Sequence, residues 1–214
     1  ATVGGAVVDS GKFDWMEHKE KFPGLCTPDE SYHGIVYAQK FGNAGAYITK
    51  ATVQLMRDLG SVQAPVNAYM LNLGLESLAV RMERHCSNAL AVAEFLEQNE
   101  NVAWVNYPGL ADNQYYRRAQ KYMSGGTCGV VSFGVKGGRP AAEKFMKNLH
   151  LAMIATHVAD ARTCVLHPAS STHRQMTDEE LAAGGVPADL VRLSVGIENV
   201  SDIIADLKQA LSSL

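Results

Sequence analysis

Apolar residues return every three to four positions over two long stretches of the chain. From Asn43 to Leu59, Ala44, Ile48, Leu55 and Leu59 fall on one stripe, which predicts a helix that Gly60 stops. From Pro65 to about Asn99, Leu71, Leu75, Leu78 and Met82 keep the same period, as do Val92, Phe95 and Leu96. Gly74 interrupts this run at a cost of about 1 kcal/mol relative to Ala, which points to close packing or a bend. A periodic run beyond about 25 residues predicts either a spine joining two domains or two helices with a break. Ahead of these helices, the apolar stretch Gly4 to Asp9 reads as a short buried strand. Ser10 to Gly42 has no clear period and reads as an irregular segment that carries function or wraps a surface.

Past the spine the pattern becomes strand–helix alternation. Strands are expected at 102–105, 128–135, 153–158, 163–166 and 190–197, and helices at 113–123, 140–149 and 200–211. Thr177-Asp178-Glu179-Glu180 is a capping-box pattern that opens one more short helix. The expected class is α/β. Residues 1–79 form the end of one α/β unit including the long linking helix, and residues 80–214 form a compact α/β sandwich of four or five strands with helices on one face.

A chain of 214 residues can bury a substantial core. The net charge of −3 and pI near 6.2 lack the basic footprint of a nucleic-acid binder, so no nucleic-acid partner is expected. No apolar run approaches the roughly 20 residues of a membrane span, and no signal-peptide pattern is seen. The four cysteines, Cys26, Cys86, Cys128 and Cys164, form no CxxC pair; scattered in this way they suggest a reducing, cytoplasmic setting.

Two places have candidate chemistry. In Leu190-Val191-Arg192-Leu193-Ser194-Val195-Gly196-Ile197 the residues alternate, so Val191, Leu193, Val195 and Ile197 share the apolar face. Arg192 lies on the other face beside Ser194 and Gly196, where there is room for a carboxylate held by two parallel hydrogen bonds. By alternation alone, an arginine on a solvated sheet face is the commoner outcome. The second place is 155–174, dense in His157, His167 and His173. Histidine spacings of ten and six match no common ligand pattern, so no metal site is expected. A Ser-His-Asp hydrolase fits the composition of this stretch, but the chain has no GxSxG nucleophile elbow.

The segments ATVGGAVVDSGKFDW, PDESYHGIVYAQKFGNAGAYITKATVQLMRDLG, APVNAYMLNLGLESLAVRMERHCSNALAVAEFL, HPASSTH and VRLSVGIENVSDIIADL occur in this order. Together they resemble the trans-sulfuration (Cys/Met metabolism) group of fold-type-I pyridoxal-phosphate enzymes. The insertion around residues 10–42 makes the chain most similar to the O-acetylhomoserine sulfhydrylases. The resemblance implies the end of the fold-type-I pyridoxal 5'-phosphate (PLP) domain followed by the C-terminal α/β sandwich domain. It also implies an activity that adds sulfide or a small thiol to O-acetylhomoserine, a homotetrameric assembly and an amino-acid substrate.

The resemblance further places the Schiff-base lysine a few residues before residue 1, so no catalytic residue and no known cofactor-binding residue is expected here. The isolated chain is then expected to be inactive and not to hold PLP alone. Lys50, in Tyr47-Ile48-Thr49-Lys50, lacks the following Gly-His and is not that lysine. Substrate-binding residues carry over by position. Arg192 aligns with the arginine that clamps the α-carboxylate, and Thr172 with a threonine near the substrate pocket. His157 falls where the family has Asn or Ser in an A-[NS]-x-G-D stretch, and here the chain reads Thr156-His157-Val158-Ala159-Asp160. A methionine γ-lyase or cystathionine-type lyase, and a non-catalytic assembly module, remain the alternatives.

Overall fold

The computed structural model describes residues 2–214 as two compact units that divide between Glu76 and Ser77. In the first unit, helix α1 (Pro23–Cys26) and a 3-10 turn (Glu30–Tyr32) precede α2 (Tyr37–Lys50). The expected helix from Asn43 is there, but helical hydrogen bonding already begins at Tyr37. Gly42, at φ 64° and ψ −174°, separates that first turn from the rest. The helix then widens into a π turn (Ala51–Met56) and closes as α3 (Arg57–Leu59). Leu25, Cys26, Tyr37, Ala38 and Ala46 form a small core, with Trp15, Met16 and Phe41 against it.

The strand expected at 4–9 is not formed. Val3, Val7 and Val8 are exposed, and a strand is a pairing that needs a partner ladder, which these residues lack among the described ones. Helix α4 (Pro65–Glu76) buries none of its residues within its own unit, so Val66, Tyr69, Leu73 and Leu75 are exposed.

The long run from Pro65 is two helices. The break is at Ser77 (φ −107°, ψ 5°), after which α5 (Leu78–Glu97) begins the second unit. There follow β1 (Val102–Asn106), α6 (Tyr116–Tyr122), β2 (Val130–Val135), α7 (Gly138–Lys147), β3 (Met153–Ile154), β4 (Cys164–Leu166), α8 (Asp178–Ala183), β5 (Leu190–Ser194) and α9 (Val200–Leu211). The five strands make one sheet in the order β1-β2-β5-β4-β3, antiparallel except for the β3–β4 pair.

Alternation decides which face is covered. Val131, Phe133, Val135, Val165, Val191, Leu193 and Val195 point into one core with Ala89, Val92 and Leu96 of α5, Phe145 of α7, and Ile203, Leu207 and Leu211 of α9. The other face has Ser132, Arg192, Cys164 and Ser194, two of them polar and short, so loops rather than helices lie over it. Helix α8 has the expected capping box, with the Thr177 hydroxyl accepting from the Glu180 N–H and the Glu180 carboxylate accepting from the Thr177 N–H.

Strands β2 and β4 begin two residues and one residue later than expected, and β3 and β5 end well before their apolar runs do. The β3 ladder stops at Ile154 apart from one more bond, Ala155 N–H to Val165 O. Ala159 then takes a left-handed conformation (φ 57°), which turns the chain over the open face of the sheet. Strand β5 stops at Ser194 because the Gly196 N–H donates to the Thr163 hydroxyl rather than to a neighbouring strand.

Candidate functional site: the open sheet face around Arg192

Arg192 sits at the middle of β5, opposite Ser132 on β2 and Leu166 on β4. Register fixes its Cα, and the loop of residues 155–162 fixes its head. One guanidinium nitrogen, Nη2, donates to the Thr156 carbonyl at 2.8 Å. The Nε–H is buried and has no hydrogen-bond partner. Buried donors in native proteins are nearly all paired, so an orphan on a permanently charged fork marks a place for an acceptor.

The same loop is tied to the strand again one residue beyond Arg192 and its neighbour, where the Ala159 N–H donates to the Ser194 hydroxyl at 3.0 Å. Between these two ties stands His157. Its side chain is 61% exposed, and Nδ1 lies 3.6 Å from Asp160 Oδ2. Asp160 accepts from Arg162 Nε at 3.1 Å, from Nη2 at 3.2 Å and from the Arg162 backbone N–H at 3.0 Å. The Arg162 side chain beside it, then that backbone donor, hold the Asp160 carboxyl well below the usual carboxylate range. Cys164 lies beneath this loop at the start of β4, where burial pushes its thiol up, and it faces Ser194 in the ladder.

Arg192 is therefore tied to the residue before His157, while the His157 ring itself meets Asp160. Thr172 is not joined to them. Its hydroxyl is exposed and pairs with His173 Nδ1 at 2.8 Å. The segment it belongs to is anchored by His167, a buried ring whose Nδ1 meets the Ser170 hydroxyl and whose Nε2 meets the Ala188 carbonyl, both at 2.8 Å. His167 is thus a structural histidine with both nitrogens engaged.

A second set of polar residues, not singled out from the sequence, supports the site. Glu198 accepts from the Thr163 N–H (2.6 Å) and hydroxyl (2.9 Å). Asn88 Nδ2 donates to the carbonyls of Gly196 (3.0 Å) and Glu198 (2.9 Å), and His85 Nδ1 lies 2.6 Å from the Val195 carbonyl. A Cβ on Gly196 would collide with the Glu198 carboxylate and the Thr163 backbone, so only glycine fits there. This network holds the turn after β5 and, through Thr163, the far end of the 155–162 loop. The sequence signal was available: His85 and Asn88 interrupt the buried stripe of α5 three residues apart.

A carbonyl cofactor would need a lysine, and the chain has ten. Nine are exposed. Lys50 is half-buried, but its ammonium is 2.7 Å from Asp29, whose carboxyl that contact lowers to about 2. Lys50 borders a cavity of about 370 Å3 whose other walls include Trp15, Phe22, Leu25, Tyr47 and Leu55. Nothing there resembles a phosphate cradle, and the Trp15 indole N–H is already given to the Asn43 carbonyl. The described residues by themselves do not fit PLP, whereas the face around Arg192 fits a carboxylate.

An α/β domain with an arginine fork on the open face of its sheet is the general class. The particular family comes from comparison with known proteins. The family model described as Cys/Met metabolism PLP-dependent enzyme matches residues 1–212, so the chain belongs to that family of PLP-dependent enzymes. The chain is 46% identical over 210 residues to a homocysteine synthase of Schizosaccharomyces pombe, covering 98% of this chain and 49% of the relative. It is 44% identical over 212 residues to O-acetyl-L-homoserine sulfhydrylase 1 of Thermus thermophilus, covering 99% and 50%. Among solved structures, a Campylobacter jejuni protein assigned as an O-acetylhomoserine (thiol)-lyase superposes with a TM-score of 0.80 at 37% identity, over 93% of this chain and 47% of that one, and that structure carries a pyridoxyl-lysine residue. The chain spans about half the length of the curated relatives it matches.

Proposed function

We propose that this chain carries the substrate-carboxylate end of a cytoplasmic, homotetrameric enzyme. That enzyme transfers sulfide or a small thiol onto O-acetylhomoserine, releasing acetate and giving homocysteine or methionine. The observation that carries the reading is the Arg192 guanidinium, fixed at Nη2 by the Thr156 carbonyl and left with a buried, unpartnered Nε–H. A planar fork held in this way receives one planar anion, and the α-carboxylate of an amino acid is such an anion. The relatives named homocysteine synthase and O-acetyl-L-homoserine sulfhydrylase support that choice of amino acid.

In this reading Arg192 anchors and orients the carboxylate. His157, next to Thr156, adds a second donor where the family pattern has Asn or Ser; Thr172, whose hydroxyl pairs with His173 in this chain, stands near the substrate pocket by the family resemblance alone. Residues 1–79 are the end of the large cofactor domain and 80–214 the C-terminal domain. PLP, as in the rest of the family, supplies the electron sink.

The test is steady-state kinetics of the whole enzyme with Arg192→Lys. Lysine keeps the charge and loses the fork. A charge-assisted hydrogen bond contributes about 1.5–3 kcal/mol, and each 1.4 kcal/mol is about tenfold, so KM for O-acetylhomoserine should rise roughly ten- to hundredfold. KM for sulfide should not change. An unchanged KM for the amino acid would remove Arg192 from the site. Release of a keto acid from methionine with no thiol-dependent transfer would assign the enzyme to the lyases instead.

A further inference from the structure

The spacing of the histidines hides a different set of ligands. His157, Asp160 and Cys164 follow one another as His-x2-Asp-x3-Cys, and one ligand atom from each lies within 4.8 Å of the other two. The geometry points to a site for a zinc-like divalent cation on this loop, with three protein ligands and a fourth position left to water.

Three observations support it. The first is distance. Zinc bonds of about 2.0–2.3 Å to nitrogen, oxygen and sulfur set ligand atoms roughly 3.3–3.7 Å apart in a tetrahedron. His157 Nδ1 and Asp160 Oδ2 already stand at 3.6 Å. Cys164 Sγ, within 4.8 Å of both, has at most about 1 Å to close, a movement that the exposed His157 and the half-buried Asp160 on their loop can supply.

The second is chemistry. Imidazole, carboxylate and thiolate together suit zinc, cobalt and cadmium, whereas an all-oxygen set would suit magnesium or calcium. One thiolate and one carboxylate also balance the double charge of the ion. As the metal–sulfur bond forms, the Cys164 proton leaves to bulk water.

The third is competition. The Cys164 thiol spends its proton only on a weak contact, 3.5 Å to the Arg162 carbonyl. Asp160 is held by Arg162, whose side chain is 63% exposed and can swing away at little cost. Arg162 and Arg192 both act electrostatically on Cys164 and oppose a cation, while Glu198 and Asp160 favour one. The site does not depend on the carboxylate reading of Arg192, although it lies on the loop that holds that arginine.

The experiment is titration of the 214-residue chain with cobalt(II) alone, followed by zinc(II) competition measured calorimetrically. The expected result is one ion per chain and a thiolate-to-cobalt charge-transfer band that zinc abolishes. His157→Ala, at an exposed side chain, should weaken binding at least tenfold, and Asp160→Asn likewise. Cys164→Ser should abolish the band; if that variant does not fold, the other two decide. Absence of the band, or binding that all folded variants retain at full strength, would overturn the site and would leave the kinetic test of Arg192 untouched.

Discussion

Arg192 of β5 and Thr156 of the neighbouring loop are joined by one hydrogen bond of 2.8 Å, from a charged side chain to a backbone carbonyl 36 positions away in sequence. That bond fixes the fork and leaves its Nε–H buried without a partner. The arrangement is costly for folding, because a buried donor without an acceptor loses its solvation and gains nothing in return; in the proposed function the substrate carboxylate supplies that acceptor.

The first prediction follows from that cost. Arg192→Met keeps most of the stem packing, removes the orphan donor and forfeits one bond to Thr156. Replacing buried ionic groups by apolar ones of similar volume is often neutral or stabilising. The unfolding free energy of the chain in denaturant should change by no more than about 1 kcal/mol, in either direction, while binding of the amino acid by the whole enzyme is lost. A loss of stability well beyond that figure would mean that Arg192 is a structural residue.

The second prediction concerns the loop that Thr156 belongs to. Ala159 adopts φ 57°, a conformation that costs an ordinary L-residue roughly 1 kcal/mol and glycine nearly nothing. The Ala159 methyl is exposed, so its removal sacrifices little packing. Ala159→Gly should therefore leave stability unchanged or raise it by a few tenths of a kcal/mol, after the extra entropy of glycine in the unfolded chain is subtracted. Equilibrium unfolding of the two proteins side by side measures this, and a clear destabilisation would contradict the left-handed turn.

The third prediction is a pH dependence. Asp206 of α9 is buried and accepts backbone N–H bonds from His150 (2.8 Å), Leu151 (2.9 Å) and Ala152 (2.9 Å), just before β3. Burial pushes its carboxyl up, but the three backbone donors and the Gln209 amide together outweigh burial and leave it below the usual aspartate value. A carboxyl with a depressed folded-state pKa stabilises the fold fully above its unfolded value, near pH 4, and loses that contribution as pH falls through the folded one. Asp206→Asn should cost about 2–3 kcal/mol at neutral pH, since an amide cannot accept all three bonds. It should also flatten the fall in stability below about pH 4. An unaltered acid limb in the variant would show that other carboxyls govern it.

Periodicity alone revealed the covered face of the second unit. Val191, Leu193 and Val195 and the stripes of α5 and α9 are spaced by the geometry of strand and helix, and burial follows from that spacing; Val131 and Phe133 of β2 join them in the fold. The capping box at Thr177 was legible for the same reason, because its partners are three residues apart. What failed was whatever depends on a partner distant in sequence. The apolar run at 4–9 has no ladder to join among the described residues, and strands β3 and β5 end early because Ala159 turns the chain and Thr163 captures the Gly196 N–H.

The site divides along the same line. The sequence by itself determined that Arg192 would lie on the open face of a strand, since alternation settles direction without knowing the neighbours. Only the tertiary structure decided that Thr156 holds one corner of its fork, that the Nε–H is left unpaired, and that Thr172 pairs with His173. Hydrogen bonds between residues tens of positions apart are set by how the loop at 155–162 crosses the sheet, and no local period in the sequence encodes that crossing.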